Sequence, residues 1–562
     1  MGNPARKVTS FAVILFFVVS LGYSQPAIPD KAKAGAVESA VERTSPKSTV
    51  KPSIPEIEVP PRPEMEVKDS TTKIKVNKFK ITGNTRISTY QLSKLVRSYE
   101  GREMTLVEIK SVADRITNEY REKGYFLARA YIPAQTIQNG VVEIAVIEGN
   151  VDKISVKGNK YYTNKFIRSQ MQPVITEQVI SRDNLEKSLL NLNENPKLNV
   201  NATLSPGSTI GTVDINLTVK DKAPYNLLLY YNNFGSKFTG KGRLGATLDI
   251  GNLTKHGDIL TLGLVFPHPD WDAKFYRKIG YSIPVNGYGT RLGLNFADME
   301  YEVGKDLAVL GIEGKSRVFE LSVTHPLIKR TDCKLTAGVS LAIKNYENYI
   351  LGQLSAKDDI SMLGIGVSHE RIRSNTRDLV AANAYFGLGG MFGGMGERPS
   401  KPSKPGADNT FLKLTLDAAR TMRLGNCSLI LRGSGQWANQ TLAVGEKFAI
   451  GGPDSVRGYP QSEYLGDKGY SLSAELRTPF WPGEFVLNKY AQWAFFFDTG
   501  RVDLENPLPG EKSSQNLSGY GAGIRATYKN FDLRFDAGFP IKGKRPSDGG
   551  DYHYYVQGTL RF

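Results

Sequence analysis

This chain of 562 residues is poor in cysteine, in histidine and, beyond its first 24 residues, in long apolar runs. Cys333 and Cys427 are its only cysteines, far apart and without ligand spacing, so neither a disulfide framework nor a cysteine metal centre is expected. Five histidines argue against metal chemistry built on imidazole. After residue 24 no segment stays apolar and uncharged for about 18 residues, which excludes helices as the membrane-spanning elements of the remainder. A nucleotide-binding phosphate loop is missing too, and no residue constellation suits covalent or metal catalysis. The expectation is a protein that is not an enzyme and uses no cofactor.

The one apolar run, "FAVILFFVVSLGYS", follows Arg6 and Lys7 and ends in small residues. It reads as a signal peptide over 1–24, cut near Ser24, and is shorter than the roughly 20 residues of a spanning helix. A myristoyl signal in "MGNPAR" fails because Arg6 stands where Ser or Thr is required. The net charge of +16 suits anionic lipid headgroups or an acidic passenger. Its basic residues are spread rather than clustered with aromatics, and the chain is exported, so nucleic acid is not expected as a partner.

Residues 25–72 are rich in Pro, Ser, Lys and Glu and read as a linker, with "AGAVESAVE" able to form a short helix. Order then comes twice. "VNKFKITGNTRIST" (76–89) and "VDKISVKGNKYYTN" (151–164) align as strand, Gly-Asn turn and helix start, with Gly83 and Gly158 equivalent. Behind the first copy, Thr105 and Glu108 form a capping-box pattern, and Ile109, Val112, Ile116 and Tyr120 make one helical stripe. Two modules of strand, helix, helix, strand, strand follow, at 73–149 and 150–222.

From 223 to 562 helical stripes vanish and segments near ten residues alternate, as in "GRLGATLDIG", "YSLSAELRTPF" and "AQWAFFFDTG". In the last, "YHYYVQGTLRF", Tyr552, Tyr554, Val556, Gly558, Leu560 and Phe562 share one face, and His553, Tyr555, Gln557, Thr559 and Arg561 the other. About 338 residues at about 20 per strand and connection give roughly 16 strands. In a bilayer only a closed sheet satisfies every backbone amide, so the expected fold is a membrane β-barrel of about 16 antiparallel strands preceded by two α/β modules. The Gly/Pro/Lys stretch 387–409 reads as a disordered surface loop.

Two such modules before a barrel that carries "VRGY" at 456–459 resemble the two-partner secretion transporters of the Omp85 superfamily, the ShlB/FhaC/HecB-like haemolysin secretion and activation proteins. "GNLTKHGDILTLGL" (251–264) is similar to the early barrel hairpin of that family. The resemblance covers 73–562. It implies POTRA domains in the periplasm, a Gram-negative outer-membrane barrel, and export of an unfolded haemagglutinin, adhesin or haemolysin as the client. It further implies a plug helix, for which only "AGAVESAVE" is available.

Within the barrel, the resemblance implies that the loop near 450–469, between strands at "KFAIGG" and "GYSLSAELR", folds back into the lumen. Val456, Arg457, Gly458 and Tyr459 would then form a latch with Asp498. Alternation agrees, since Asp498, Phe496 and Ala494 share a face opposite Phe497, Phe495 and Trp493. Asp454, Glu463, Asp467 and Glu475 read as loop and strand-rim charges. In the first module Tyr120, Tyr125 and Leu127 are candidates for client contact, by strand addition or an apolar cleft. Tyr554, Val556, Leu560 and Phe562 are the expected assembly signal for insertion by the barrel assembly machinery. Outer-membrane lipids and lipopolysaccharide are the further expected partners, and a monomer is expected because one barrel encloses its own pore. An outer-membrane protein insertase and a passive porin are the competing readings.

Overall fold

The computed structural model describes residues 28–46, 54–59, 72–236, 238–268, 275–397, 399–481, 483, 486–541 and 545–562. The expected signal peptide lies outside them. Each module packs helices on a small sheet. In the first, the helix Leu106–Glu122 opens on the expected capping box, with Thr105 N donating to Glu108 Oε2 (2.6 Å) and Glu108 N to Thr105 Oγ1 (3.3 Å). Its stripe of Ile109, Val112, Ile116 and Tyr120 is buried against the strands Lys78–Thr82, Val141–Ile147 and Arg129–Tyr131.

The repeat is carried by a shared device. A Cβ on Gly83 (φ +77°) would lie 2.3 Å from the Val146 carbonyl oxygen, and one on Gly158 (φ +92°) 2.4 Å from that of Val219. Each Gly-Asn turn is then capped by an acid at the end of its module's last strand. Glu148 accepts from Thr85 N (2.7 Å) and Arg86 N (2.8 Å), and Asp221 accepts from the amides of Lys160, Tyr161 and Tyr162. Burial pushes the Glu148 carboxyl up, but the hydrogen bonds from Arg86, Thr85 and Tyr120 prevail and hold it below its ordinary range.

The second module is tied at both sides. Linker residues Ile57–Glu58 add a parallel strand to the edge strand Leu198–Pro206. Its helix Arg182–Asn193 docks on the barrel turn 326–334. There Asp183 meets Arg330 (2.6 Å), Glu186 accepts from Thr331 N (2.6 Å), and Glu194 pairs with Lys329 (2.6 Å) and Lys334 (2.7 Å).

The rest of the chain is a closed antiparallel barrel of sixteen strands, from β10 (Tyr225–Asn232) to β27 (His553–Arg561). The barrel closes where these two strands pair, over only five residue pairs from Leu228↔Arg561 to Asn232↔Gln557. Strands Cys333–Ile350 and Gln353–Ile372 pair over eighteen. Alternation sorts the faces as expected: Ala494, Phe496 and Asp498 are buried toward the lumen, while Phe495 and Phe497 are exposed. In the last strand Tyr554 and Leu560, with Phe562 just beyond it, point outward, Val556 is half-buried on that face, and Tyr555 and Thr559 are buried inside.

Three elements fill the lumen. The helix Ala34–Thr44, formed by the expected segment, lies inside with Ala34, Ala36, Val37, Ala40 and Val41 buried. The described residues of 388–411 are in part the expected surface loop, with Met391 and Phe392 exposed, but the stretch is folded on itself, Asn409 Nδ2 donating to the Gly389 carbonyl oxygen (2.8 Å). Met395, Ala407 and Phe411 are buried beside the helix, because the glycines let this chain pack closely: a Cβ on Gly394 would sit 2.2 Å from the Gly389 carbonyl oxygen. The third element is the loop bearing VRGY, and it is longer than expected. Its preceding barrel strand is Cys427–Ala438, and Phe448–Ile450 pairs instead with Tyr464–Gly466 in a separate hairpin, so the loop runs over 439–467. The apolar residues of "KFAIGG" face the lumen interior, where Ala449 and Ile450 are buried, and not lipid.

Candidate functional site

The loop reaches the wall because glycines on both sides let backbone lie on backbone. Gly458 has φ +103°, and a Cβ there would stand 2.8 Å from the Phe539 carbonyl carbon; one on Gly519 would stand 2.0 Å from the Arg457 carbonyl oxygen. Val456 and Tyr459 are buried with Ile450, Val502 and Leu517. This seating delivers Arg457, 2% exposed, to a wall of carboxylates.

Arg457 grips Asp498 with a two-pronged contact, Nε to Oδ2 at 2.7 Å and Nη2 to Oδ1 at 2.9 Å, and its backbone amide adds a third bond to Oδ2 at 3.1 Å. Its guanidinium carbon lies 3.4 Å from the centroid of the Phe496 ring, which explains a large aromatic on the inner face. The structure therefore brings Val456, Arg457, Gly458, Tyr459 and Asp498 together.

Two more acids complete the site. Glu475 accepts from Arg457 Nη1 at 2.7 Å, and Asp536 lies 3.6 Å from the same nitrogen. Glu475 is thus no strand-rim charge; it is 1% exposed and points inward at the centre of the network. Both acids are also held by wall arginines, Glu475 by Arg477 and Arg525, Asp536 by Arg525 and Arg534. Asp498 differs, because Arg457 is its only ion-pair partner among the described residues. Moving the loop away strands that one carboxylate, a change that costs about 3–5 kcal/mol when a buried pair is broken. Along the chain, alternation alone assigns Asp498 inward, and Glu475, in "SAELR", carries the same inward parity on its own strand.

The plug helix meets the same loop. A Cβ on Gly35 would fall 2.4 Å from Gly445 Cα, Ser39 Oγ donates to the Gly445 carbonyl oxygen (3.2 Å), and Lys31 pairs with Glu463 (3.3 Å). Elsewhere the helix is tied to the wall by polar contacts, with Glu42 paired to Lys278 (2.9 Å) and Thr44 Oγ1 accepting from Arg243 Nη1 (2.8 Å). Ala34 N donates to Asn348 Oδ1 (2.8 Å), Tyr301 OH to the Ala32 carbonyl oxygen (2.5 Å), and Lys33 Nζ to the Ser403 carbonyl oxygen (2.5 Å). Its Glu38 and Glu42 look onto a cavity of about 370 Å³, which Glu42 borders together with its ion-pair partner Lys278 (2.9 Å) and whose lining also includes Lys344 and Lys413.

The client-contact candidates are corrected. Tyr120 is fully buried and its hydroxyl donates to Glu148 at 2.6 Å; burial, then that bond, pushes the hydroxyl pKa up. Leu127 is 2% exposed and packs into the second module's core, and Tyr125 OH donates to Glu177 across the joint between modules (3.2 Å). Tyr125 and Leu127 cement the two modules, and Tyr120 closes the core of the first. Their aromatic and apolar character at the end of a buried helical stripe is a core signal. Exposed apolar side chains of the first module lie elsewhere, at Tyr90, Leu95, Val107 and Val141.

Comparison with known proteins places these features. The family model "Haemolysin secretion/activation protein ShlB/FhaC/HecB" matches residues 211–526, and "POTRA domain, ShlB-type" matches 74–149. The heme/hemopexin transporter protein HuxB of Haemophilus influenzae (strain 86-028NP) is 26% identical over 549 residues, covering 93% of each chain. The outer membrane transporter CdiB of Dickeya dadantii (strain 3937) is 24% identical over 457 residues, 80% of this chain and 79% of its own. In fold, the solved structure of CdiB from Escherichia coli superposes with a TM-score of 0.76 at 20% identity, over 93% of this chain and 95% of that one.

Proposed function

The chain belongs to the ShlB/FhaC/HecB family of haemolysin secretion/activation proteins, and on that premise we infer how its lumen serves export. It is an outer-membrane β-barrel transporter of the two-partner secretion type, with its POTRA domain in the periplasm and an exoprotein as its partner. The observation that carries the mechanism is what fills the pore. A porin lumen is polar and open to water. Here a helix and two loops occupy it, each held by contacts that an arriving chain can replace.

The modules receive an unfolded client, whose extended backbone adds to an open sheet edge. One edge of the second module's sheet is already taken by Ile57–Glu58; in the first module's sheet Arg129–Tyr131 is an edge strand, and it is the one assigned here to the client. The client then displaces the helix Ala34–Thr44, and the loop 439–467 shifts at Arg457–Asp498 to widen the path. No covalent step and no nucleotide is involved; folding of the client outside biases the movement outward. The outward face, with Tyr554, Val556, Leu560 and Phe562, contacts outer-membrane lipid and lipopolysaccharide and is the surface read by the assembly machinery at insertion. One barrel suffices as a monomer.

The test is a comparison of medium, cell-surface and outer-membrane proteins from otherwise identical cells with and without this gene. Loss of one large exoprotein with normal outer-membrane barrels is the expected result. A broad loss of barrels would replace this reading by an insertase.

A further inference from the structure

The latch is not anchored only through its arginine. Tyr555, on the last strand, accepts from Gly458 N (3.1 Å) and donates to the Tyr459 carbonyl oxygen (2.6 Å) through one hydroxyl. Two residues earlier on the same inner face, His553 Nδ1 meets the Gly458 carbonyl oxygen (2.9 Å). The backbone of the motif is therefore tied to β27, which is half of the barrel's shortest strand pairing.

The other half of that seam is reached as well. Directly after β10, Asn233 exchanges two bonds with β27: its Nδ2 donates to the Tyr554 carbonyl oxygen (3.0 Å), and its Oδ1 accepts from Val556 N (2.8 Å). Phe234, 2% exposed, sets its ring edge-on to Tyr555 (centroids 6.3 Å apart) and beneath the guanidinium of Arg534 (5.6 Å). Arg534 in turn holds the loop, donating to the Pro453 carbonyl oxygen (2.6 Å) and pairing with Asp454 (3.3 Å). Beyond these contacts the two strand ends part around a cavity of about 710 Å³ lined by Tyr231, Phe234, Pro460, Tyr552 and Tyr554. The outer end of the seam is thus braced by Asn233, whose backbone amide adds a third bond to the Val556 carbonyl oxygen (3.2 Å), and by the seated loop.

We propose that Tyr555, with Phe234 and Arg534, is a positioning residue that couples the seated VRGY loop to the closure of the β10–β27 seam, so that unlatching the loop loosens the first and last strands from each other. The coupling rests on the export reading only for its purpose, since it is a property of the barrel without any client. Coupling of this kind is reciprocal: whatever the loop does for the seam, the seam must do for the loop.

The test is amide hydrogen exchange on the purified full-length protein in detergent, following peptides that cover 225–232, 451–461 and 553–562, with 353–372 as the control. Tyr555→Phe keeps the ring and removes the hydroxyl, and Arg457→Ala frees the loop without touching the seam. Both are expected to speed seam exchange about tenfold, within the usual range of coupling between sites, and to leave the control unchanged. The reverse arm staples the seam with a disulfide between Leu229→Cys and Leu560→Cys, register partners across it, with Cys333 and Cys427 replaced by Ser. The staple is expected to slow exchange in 451–461 by a similar factor, which a purely local packing role of Tyr555 would not do. Seam exchange that stays at its original rate in Arg457→Ala, or loop exchange indifferent to the staple, overturns the proposal. Because these readouts need no client, their failure is distinct from failure of the export reading.

Discussion

The plug helix Ala34–Thr44 and the loop 439–467 lie side by side in one lumen and are held there by different physics. Where it meets the loop, the helix is held by shape: small residues let it approach Gly445 and Tyr346, and its side of that contact is mostly Ala, Gly and Val, while Glu42–Lys278 and Thr44–Arg243 tie its other side to the wall. The loop is held by charge, through a guanidinium sandwiched between Phe496 and three acids. Apolar contacts are non-directional and release gradually as an element slides, whereas a buried ion pair resists until it is broken and then leaves a carboxylate unpaired. A pore closed by both has one element that can be pushed out and one that switches between two states.

Four substitutions test this contrast, in falling order of effect. Arg457→Ala is the most severe, because Asp498 loses its only ion-pair partner among the described residues; about 3–5 kcal/mol of loop seating is lost. Export, measured as client in the medium, should fall sharply while barrel abundance in the outer membrane holds. Arg457→Lys restores the charge but not the planar fork or the stacking on Phe496, so export should recover only in part. Full recovery would mean that charge alone seats the loop. Gly35→Leu attacks the helix through overpacking against Gly445, worth about 1–3 kcal/mol, and should raise conductance in planar bilayers with the latch intact. An unchanged conductance would contradict a helix held by shape. Lys31→Ala breaks the bridge from the turn before the helix to Glu463; because the buried carboxylate keeps its bonds from Ser547 N and Oγ, the effect should be about 1 kcal/mol and leave both export and conductance near their starting values.

Much of this arrangement is legible along the chain, for local reasons. A period of two assigns Asp498 and Tyr555 inward and Phe497 and Tyr554 outward with no knowledge of neighbours. The Gly-Asn turn announces the repeated module because a positive φ at Gly83 and Gly158 is a backbone demand satisfied on the spot. The stretch 387–409 misleads, since Gly and Pro mark both disordered chain and tight turns, and only burial of Met395 and Ala407 tells them apart. Tyr120 misleads in the opposite way, as an aromatic that could line a cleft but closes a core.

What the sequence by itself determined is the kind of element at each place and the face each side chain takes: two α/β modules, a run of amphipathic strands, a helix-forming "AGAVESAVE", and an arginine that requires an anion. Tertiary structure alone decided which anions. Glu475, Asp498 and Asp536 stand on three strands and meet Arg457 only because barrel closure sets those strands in register. The same closure joined β10 to β27 across more than 300 residues and placed the latch on their seam. Backbone periodicity is a property of adjacent residues, but the contents of a lumen are fixed by which distant strands become neighbours.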